Sequence, residues 1–434
     1  MTEAALRQPD SPWPGHHAGT RAYVRVLTAM TAAGIATFSQ LYSVQAILPD
    51  LAVRFEASPA RVALTVSLAT GALAGFVLLW SGVADRFGRA RVMGLALIAS
   101  TTLGLLAPLV DHLWLLLILR TVQGAVLGGM PAVAVAYLAD EIYAGHLTRA
   151  TGAYVAGNTL GGMSGRLVAG LVADLAGWRW ALAADSLLAV LAVAVFLVAL
   201  PRPRGFVASH GADAGLRRRI RTSLADRGLL ALYAQALLLM GAFVTVYNFL
   251  AFHLLDAPFA LSPALVSLVF LAYLAGSLSS SVTGRITERL GRHRLLLGAT
   301  ALMVTGMAGL LAPTLPVVLA ALVIFTVAFF AAHTVAAGWV GQRARTARAQ
   351  ASACYTLAYY LGSSLFGWLG GLVYAALGWS GTAGYVIALC LLAASATLAL
   401  RDPPHGTPAG PGHERTRDHT VTSAPRPDTR TAAE

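Results

Sequence analysis

Two basic segments of the chain share one pattern, SGVADRFGRAR at residues 81–91 and GRITERLGRHR at residues 284–294. In each segment an acidic residue is followed directly by Arg, and the Gly three residues after the acid is again followed by Arg. The two acids, Asp85 and Glu288, lie 203 residues apart. A repeat of this length indicates that the chain consists of two homologous halves.

Residues outside these segments repeat with nearly the same shift. The dipeptide Gly-Trp at residues 177–178 recurs at residues 378–379, and the amide side chain of Gln45 is matched by that of Asn248, 203 residues later. Such a repeat of two parallel halves is known from membrane transporters.

The stretches between these markers are apolar enough to cross a lipid bilayer. Of the 434 residues, 57% are hydrophobic and 12% are charged, and the mean hydropathy is +0.68. A soluble chain could not bury so much apolar side chain, and in lipid each apolar stretch must be helical. We predict an all-α integral membrane protein with twelve transmembrane helices in two pseudo-symmetric six-helix bundles. The predicted spans are 23–47, 62–81, 92–110, 113–138, 150–175, 178–200, 229–253, 264–281, 295–312, 317–340, 351–376 and 382–400.

The basic residues indicate how the chain is oriented. All 31 are arginines, and most lie in segments that are cytoplasmic if the N-terminus is cytoplasmic, as the positive-inside rule requires. We therefore predict a multi-pass protein of the bacterial inner membrane with cytoplasmic N- and C-termini. Because the arginines are spread over short loops, the net charge of +12 does not indicate nucleic-acid binding.

The composition divides the chain into five predicted parts. These are a cytoplasmic N-tail at 1–22, an N-terminal six-helix bundle at 23–200, a cytoplasmic linker at 201–228, a C-terminal six-helix bundle at 229–400 and a disordered cytoplasmic C-tail at 401–434. The linker is basic and interrupted by Gly and Pro, which fits a plain tether. A short amphipathic stretch within it leaves open a regulatory or lipid-contacting role.

The repeated loops resemble the signature loop of the major facilitator superfamily, and the resemblance covers about residues 23–400. Ser81 departs from the Gly that the family usually has there. Glycine within the loop permits a tight reversal between two helices. The resemblance implies that the loops latch the two halves together in an outward-facing state. The residues expected in this gating cluster are Asp85, Arg86, Gly88, Arg89, Glu288, Arg289, Gly291 and Arg292.

Two arginines lie deep in predicted spans. Arg120, with Gln123 and a following Gly, resembles a family motif whose Arg is associated with proton coupling. Arg166 stands in a Gly-rich span that resembles the family's antiporter motif, in the place of that motif's Pro. Since a charged side chain at this depth needs a partner, Arg166 either pairs with Asp185 of the next span or faces the substrate cavity.

Four further stretches are similar to one branch of that superfamily, the bacterial inner-membrane permeases of the acriflavine-sensitivity and arabinose-efflux type. They are LYSVQAILP at 41–49, GNTLGGMSGRL at 157–167, FFAAHT at 329–334 and YYLGSS at 359–364. The resemblance implies a proton-coupled antiporter that exports small organic compounds by alternating access, as multidrug-resistance transporters do.

By the same resemblance, spans 1, 4, 7 and 10 line the cavity, and spans 2, 5, 8 and 11 lie where the bundles meet. Candidate substrate-binding residues are Gln40, Tyr42, Gln45, Gln123, Asn158, Arg166, Tyr247, Asn248, Tyr359 and Tyr360; candidate proton-coupling residues are Arg120, Asp185 and His333. For His333 a plain packing role is the alternative. Since the cavity spans contain no deep carboxylate whereas the deep charges are arginines, we expect a neutral or anionic cargo.

Other functions fit the sequence less well. Uptake of a small metabolite uses the same machinery, and nothing in the residues sets the direction. A membrane enzyme would need clustered His, Asp or Cys near one membrane face, and a non-transporting receptor would not need loops repeated in both halves. The expected partners are a small-molecule substrate, protons and the lipid bilayer, with no cofactor, no metal and no nucleic acid, and the chain is expected to be a monomer.

Overall fold

The apolar stretches of the sequence form helices whose ends are often marked by Pro or Gly. A computed structural model describes residues 13–206, 221, 223–344 and 348–400, and the helical segments within these ranges group into twelve spans. The prediction of an all-α, twelve-helix fold is confirmed. Residues 1–12 of the predicted N-tail, the predicted linker residues 207–220 and 222 and the predicted C-tail 401–434 lie outside the described residues.

The N-terminal half holds spans α1 to α6. Their bounds are Arg21–Tyr42 (α1, continued by a 3₁₀ turn at Ser43–Ile47 and a short helix at Leu48–Arg54), Pro59–Phe87 (α2), Arg89–Leu106 (α3), Leu113–Leu127 with Pro131–Glu141 (α4), Leu147–Ala176 (α5) and Trp178–Ala199 (α6).

The C-terminal half holds spans α7 to α12. Their bounds are Arg227–Leu255 (α7), Pro263–Leu290 (α8), Arg292–Gly309 (α9), Leu315–Arg343 (α10) and one long stretch, Arg348–Leu398, that contains α11 and α12. Gly378 interrupts this stretch with φ 64° and ψ −160°. Since 51 straight helical residues would extend about 75 Å, the chain must turn back there to stay within a bilayer.

The repeat seen in the sequence is also a repeat of backbone shape. Gly88 and Gly291, the matched glycines of the two basic segments, have φ of 98° and 78°, and each separates two helices. A positive φ is readily adopted only by Gly, which allows the chain to reverse without a longer loop. The matched Gly177 and Gly378 do the same before α6 and α12, with φ of 84° and 64°.

Several spans are longer than the sequence predicts. α2 continues to Phe87 and α8 continues to Leu290, whereas the predicted apolar stretches end at residues 81 and 281. The extra turns carry Arg and acidic residues, which remain helical at the bilayer surface because charged side chains there reach water. By length and composition, seven of the described helices could each cross a membrane, and the longest of them contains both α11 and α12.

The two ends of the bundle differ in how the halves meet. We call the end with the chain termini and the basic loops the terminal face, and the end with residues 55–58 and 256–262 the distal face. Contacts between the halves lie towards the distal face: Ser364 Oγ donates to the Ser67 carbonyl at 2.7 Å, and Gly371 packs on Ala60. At the terminal-face ends, every hydrogen bond and ion pair among the described residues joins residues of the same half. The halves are therefore closed at the distal face.

Candidate functional site

The candidate site begins where α1 changes shape. The α-helix ends at Tyr42, and Ser43–Ile47 form a 3₁₀ turn before the short helix that contains Pro49. Proline has no backbone N–H and its ring collides with the carbonyl four residues earlier, so a regular helix cannot pass through this point. The tighter turn places Gln45 at the interface between the two halves, which we call the seam.

At the seam, three polar side chains form a chain of hydrogen bonds. Arg166 Nε of α5 donates to Gln45 Oε1 at 2.7 Å, and Gln45 Nε2 donates to Asn248 Oδ1 of α7 at 2.6 Å. All three side chains are buried, and Asn248 Nδ2 has no partner among the described residues. The matched amides of the two halves thus meet directly, and Gln45 connects the deep arginine to the opposite half.

Aromatic rings surround the Arg166 guanidinium. Its Cζ lies 4.6 Å from the centre of the Tyr42 ring, 4.8 Å from that of Tyr273 and 5.3 Å from that of Phe270. Such cation–π contacts contribute up to about 2 kcal/mol each when water is excluded. Arg166 also donates to the Gly162 carbonyl of its own helix.

Among the residues that the structure describes, no carboxylate lies within 4.0 Å of the Arg166 guanidinium. Every ion pair between described residues involves another arginine or His16. Rings and neutral oxygens stabilise a buried cation less well than an anion does. The site therefore has unused capacity to bind a negatively charged or strongly hydrogen-bond-accepting group.

The hypothesis of an Arg166–Asp185 pair is wrong. Asp185 instead accepts a hydrogen bond from Ser43 Oγ at 2.7 Å and interacts electrostatically with Arg120. Asp185 lies on the side of α6 that faces Ser43 and Arg120, whereas Arg166 lies on the side of α5 that faces α8. Arg166 instead lies at the interface between the halves, and the alternative that it faces the substrate cavity stays a prediction.

Arg120 lies inside the N-terminal half and holds three spans together. Its guanidinium donates to the carbonyls of Gln40 and Leu41 at 2.7 Å each, and to that of Thr65 at 3.2 Å. The first two carbonyls have lost helical partners because α1 changes to a 3₁₀ turn just after them. Arg120 thus satisfies the backbone groups that the break in α1 exposes.

Two predicted substrate-binding residues belong to this same interior network. Gln123 Oε1 accepts from Arg120 at 2.6 Å, and Gln123 Nε2 donates to Gln40 Oε1 at 3.0 Å. Gln40 also donates to the Ala36 carbonyl at 2.8 Å. The structure therefore places Gln40 and Gln123 within the N-terminal bundle instead of at the seam. Their side-chain amides are hydrogen-bonded to residues of α3 and α4.

In the C-terminal half the predicted residues form a separate group. The Tyr247 and Thr326 hydroxyls lie 2.7 Å apart, and the Tyr355 hydroxyl lies 3.0 Å from His333 Nδ1. The ring of His333 is 4.9 Å from that of Tyr359, which is in edge contact with Tyr360. His333 is thus in a different half from Arg120 and Asp185, so the three predicted proton-coupling residues do not form one cluster.

Asn158 lies at the crossing of α1 and α5, against Gly34. Its backbone and side chain occupy the space that a side chain at Gly34 would need. Its carboxamide Oδ1 is buried and has no partner among the described residues. The structure therefore places Asn158 on the seam helix α5, on the side that faces α1 within the N-terminal half.

In the gating cluster, Arg89 contacts only residues of its own half through ion pairs and hydrogen bonds among the described residues. Arg89 forms ion pairs with Asp140 of α4 and, at 3.5 Å, with Asp85, and it donates to the Ala136 carbonyl at 2.9 Å. Arg86, Glu288 and Arg289 are exposed on the terminal face. Among the described residues the predicted latch across the seam is not formed, because no hydrogen bond or ion pair between them joins the halves at this face.

Three residues that complete the site, Phe270, Tyr273 and Ser43, are not among the candidates predicted from the sequence. Phe270 and Tyr273 supply two of the three rings around Arg166, and Ser43 is the partner of Asp185. Tyr273 lies in a span that was expected at the seam, and it is three residues from Phe270, so both rings occupy one side of α8. The spacing of three residues between two aromatic side chains in a seam helix is the sequence feature that could have indicated them.

A family comparison and related proteins agree with this architecture. The family model described as Major Facilitator Superfamily matches residues 30–256 and 232–429. The chain is 38% identical to the inner membrane transport protein YnfM of Escherichia coli over 86% of this chain and 90% of that protein. It is 34% identical to the MFS-type transporter YybF of Bacillus subtilis over 86% of this chain and 93% of that protein.

A solved structure shares the fold. A bacterial homologue of the human lysosomal transporter Spinster, in an inward-facing and unoccupied conformation, superposes with a TM-score of 0.73 at 16% identity, covering 90% of this chain and all of that one.

Proposed function

The chain belongs to the major facilitator superfamily, and from that premise we propose that it exports a small neutral or anionic organic solute across the bacterial inner membrane in exchange for protons. With the terminal face in the cytoplasm, as the arginine distribution predicts, the closed distal face makes this conformation inward-facing. Substrate then enters between the halves from the cytoplasm.

The buried Arg166 is the observation that carries this proposal. It lies at the seam, is 2% exposed and has a neutral amide as its hydrogen-bond acceptor from another helix. A guanidinium binds a carboxylate through two parallel hydrogen bonds, which are stronger than those to a neutral oxygen. The three rings would pack against an aromatic or alicyclic body attached to that carboxylate.

Substrate binding at Arg166 would change the connection between the halves. A carboxylate on the guanidinium competes with Gln45 Oε1, and Gln45 is also the residue that donates to Asn248. Release of Gln45 would weaken the contact at the distal face. Binding energy would then favour opening towards the periplasm, which is what alternating access requires.

For the proton we propose Asp185 as the carrier, with Arg120 as the charge that tunes it. Asp185 is 4% exposed, and its Oδ1 has no hydrogen-bond partner among the described residues. Its network includes Ser43, in the same 3₁₀ turn as Gln45, so a change in its charge would be felt at the seam. His333, paired with Tyr355, is the second candidate.

Counterflow in proteoliposomes tests the proposed cargo. Benzoate, benzamide and tetraphenylphosphonium serve as anionic, neutral and cationic probes, each with and without an imposed pH gradient. We expect benzoate or benzamide to exchange faster than the cation, and Arg166→Gln to slow benzoate exchange at least tenfold. Arg61→Gln removes an exposed arginine and serves as the matched control.

Four outcomes would contradict the proposal. Preferred exchange of the cation would refute the cargo class, and unchanged exchange by Arg166→Gln would refute the site. Exchange that is unaffected by collapsing the pH gradient would refute proton coupling. Accumulation driven in the direction of the proton gradient would replace export by the alternative, proton-coupled uptake.

A further inference from the structure

A cavity lies away from the seam, on the terminal face of the N-terminal half. Its volume is about 760 Å³. It is enclosed by the segment before α1, by the start of α1 and by the chain that leaves α6. Its position, between α1 and α6, separates it from the substrate path described above.

Buried Glu141, at the end of α4, holds the two enclosing segments in place. Its backbone carbonyl accepts from the His16 N–H at 2.7 Å. Its side-chain Oε1 accepts from the N–H groups of Arg204 and Gly205 at 2.7 and 2.8 Å. Glu141 is completely buried. The cavity wall is therefore anchored to the bundle by specific hydrogen bonds at both segments.

The cavity is lined by positive charge. Arg25, Arg202 and Arg204 contribute three guanidinium groups, and no acidic residue is among the described residues that line it. Arg25 donates to the carbonyls of Ala199 and Val198, both at 3.0 Å, which fixes its position over the end of α6. His16 and His17 also line it, and burial lowers the pKa of His16. The three arginines are the permanently charged groups of the lining.

The opposite side of the cavity is apolar and continues into the lipid-facing surface. Leu197 and Val198 line it and are 49% and 78% exposed, and the neighbouring Val24 is 56% exposed. A membrane helix exposes such side chains to hydrocarbon. The cavity therefore lies at the boundary between the headgroups and the acyl chains.

We propose that this cavity binds the phosphate group of an anionic phospholipid from the adjoining leaflet. The arginines match the phosphate, and the apolar wall matches the glycerol backbone and the upper acyl chains. Free phosphate would satisfy the arginines but would leave the apolar wall uncovered. The shared chemistry is a phosphate anion, and the lipid is the source that fits both sides of the cavity.

Native mass spectrometry of the full chain, titrated with phosphatidylglycerol or phosphatidylcholine, tests the proposal. We expect the double variant Arg202→Gln/Arg204→Gln to bind phosphatidylglycerol about 30-fold more weakly, since each arginine near a membrane surface contributes about fivefold. The matched control, Arg285→Gln/Arg294→Gln, removes two exposed arginines from the terminal face of the other half and should bind as the wild type does.

Two results would overturn the assignment. One is equal retention of phosphatidylglycerol by the wild type and the first double variant, provided that both unfold at the same temperature in phosphatidylcholine. The other is displacement of the lipid by millimolar inorganic phosphate, which would identify a soluble anion as the ligand. Both variants keep Arg25 and the backbone bonds to Glu141, so folding is expected to be preserved.

Discussion

At the scale of single residues, the two deep arginines have different roles. Arg120 binds backbone carbonyls inside one bundle, whereas Arg166 lies at the seam with rings and an amide. Their counterparts 203 residues later are Val323 and Leu369, so neither charge is repeated in the second half. The internal repeat therefore preserves the scaffold, and the charged chemistry is specific to the N-terminal half.

Substitution of Arg120 should primarily affect folding stability. In Arg120→Leu the carbonyls of Gln40, Leu41 and Thr65 lose their donor, and each unpaired buried group costs about 1–3 kcal/mol. We expect a loss of about 3 kcal/mol or more, seen as a marked fall in the thermal unfolding temperature in detergent. Arg149→Gln, which changes an exposed arginine, should leave that temperature unchanged.

An unchanged unfolding temperature in Arg120→Leu would contradict the structural role of this arginine. If Arg120→Leu kept the wild-type unfolding temperature and lost the response of transport to a pH gradient, the role of Arg120 would be confined to the proton coupling proposed above, with no support of α1.

At the scale of helices, ends and breaks determine where the functional groups lie. Pro49 ends the regular part of α1, which exposes carbonyls for Arg120 and moves Gln45 to the seam. At the terminal face, Asp226 caps α7 by accepting from the N–H groups of Gly228 and Leu229 at 2.7 and 3.2 Å. It also pairs with Arg343 at the end of α10, at 2.9 Å.

This cap predicts a pH-dependent contribution to stability. Burial acts to raise the pKa of Asp226, but hydrogen bonds from Arg343 and the two backbone N–H groups outweigh it, and the pKa is lowered. A lowered pKa means that the carboxylate stabilises the fold above its ordinary pKa, near 4, and that this stabilisation is lost as the pH falls through the folded-state value.

Asp226→Asn keeps a capping oxygen and removes the charge. We expect it to lose about 1 kcal/mol or less at neutral pH, because the pair is partly exposed. The difference in unfolding temperature from the wild type should shrink when both are measured below pH 4. A difference that stayed constant over the whole pH range would show that the charge of Asp226 does not contribute.

At the scale of the whole molecule, the halves meet near the distal face and separate towards the terminal face. The Ser364–Ser67 hydrogen bond joins α11 to α2 in the part of α2 nearer the distal face, and Gly75, further along α2, has no neighbouring group within 4 Å of a Cβ placed on it. α2 and α11 thus diverge from that point. A rocking motion about the point of divergence, on the terminal-face side of the Ser67–Ser364 contact, would separate that contact, open the distal face and close the terminal face.

Cross-linking at this contact should therefore stop transport. In Ser67→Cys/Ser364→Cys, a disulfide or a short thiol cross-linker would hold the distal face closed. We expect oxidation to reduce counterflow at least tenfold and a reductant to restore it. Ser67→Cys alone, which keeps the native Cys354 and Cys390, should be insensitive to oxidation. Full transport by the cross-linked protein would argue against a rocking mechanism.

The sequence by itself determined the helical membrane class, the two-half organisation and the reversals at the matched glycines. These features depend on hydropathy, on an internal repeat and on local backbone preference, all of which can be read along the chain. It also located the deep arginines, and it matched Gln45 with Asn248, which meet at the seam.

Only the tertiary structure decided which groups these residues contact. Arg166 and Asp185 lie on adjacent spans, yet Arg166 contacts Gln45 and the rings of α8, whereas Asp185 contacts Ser43 and no residue of the C-terminal half through a hydrogen bond among the described residues. Depth follows from position in the sequence, whereas direction depends on how each helix is rotated and crossed by its neighbours, and packing over the whole bundle sets that rotation. For the same reason Gln40 and Gln123 are in the bundle interior, while Phe270 and Tyr273 complete the site around Arg166.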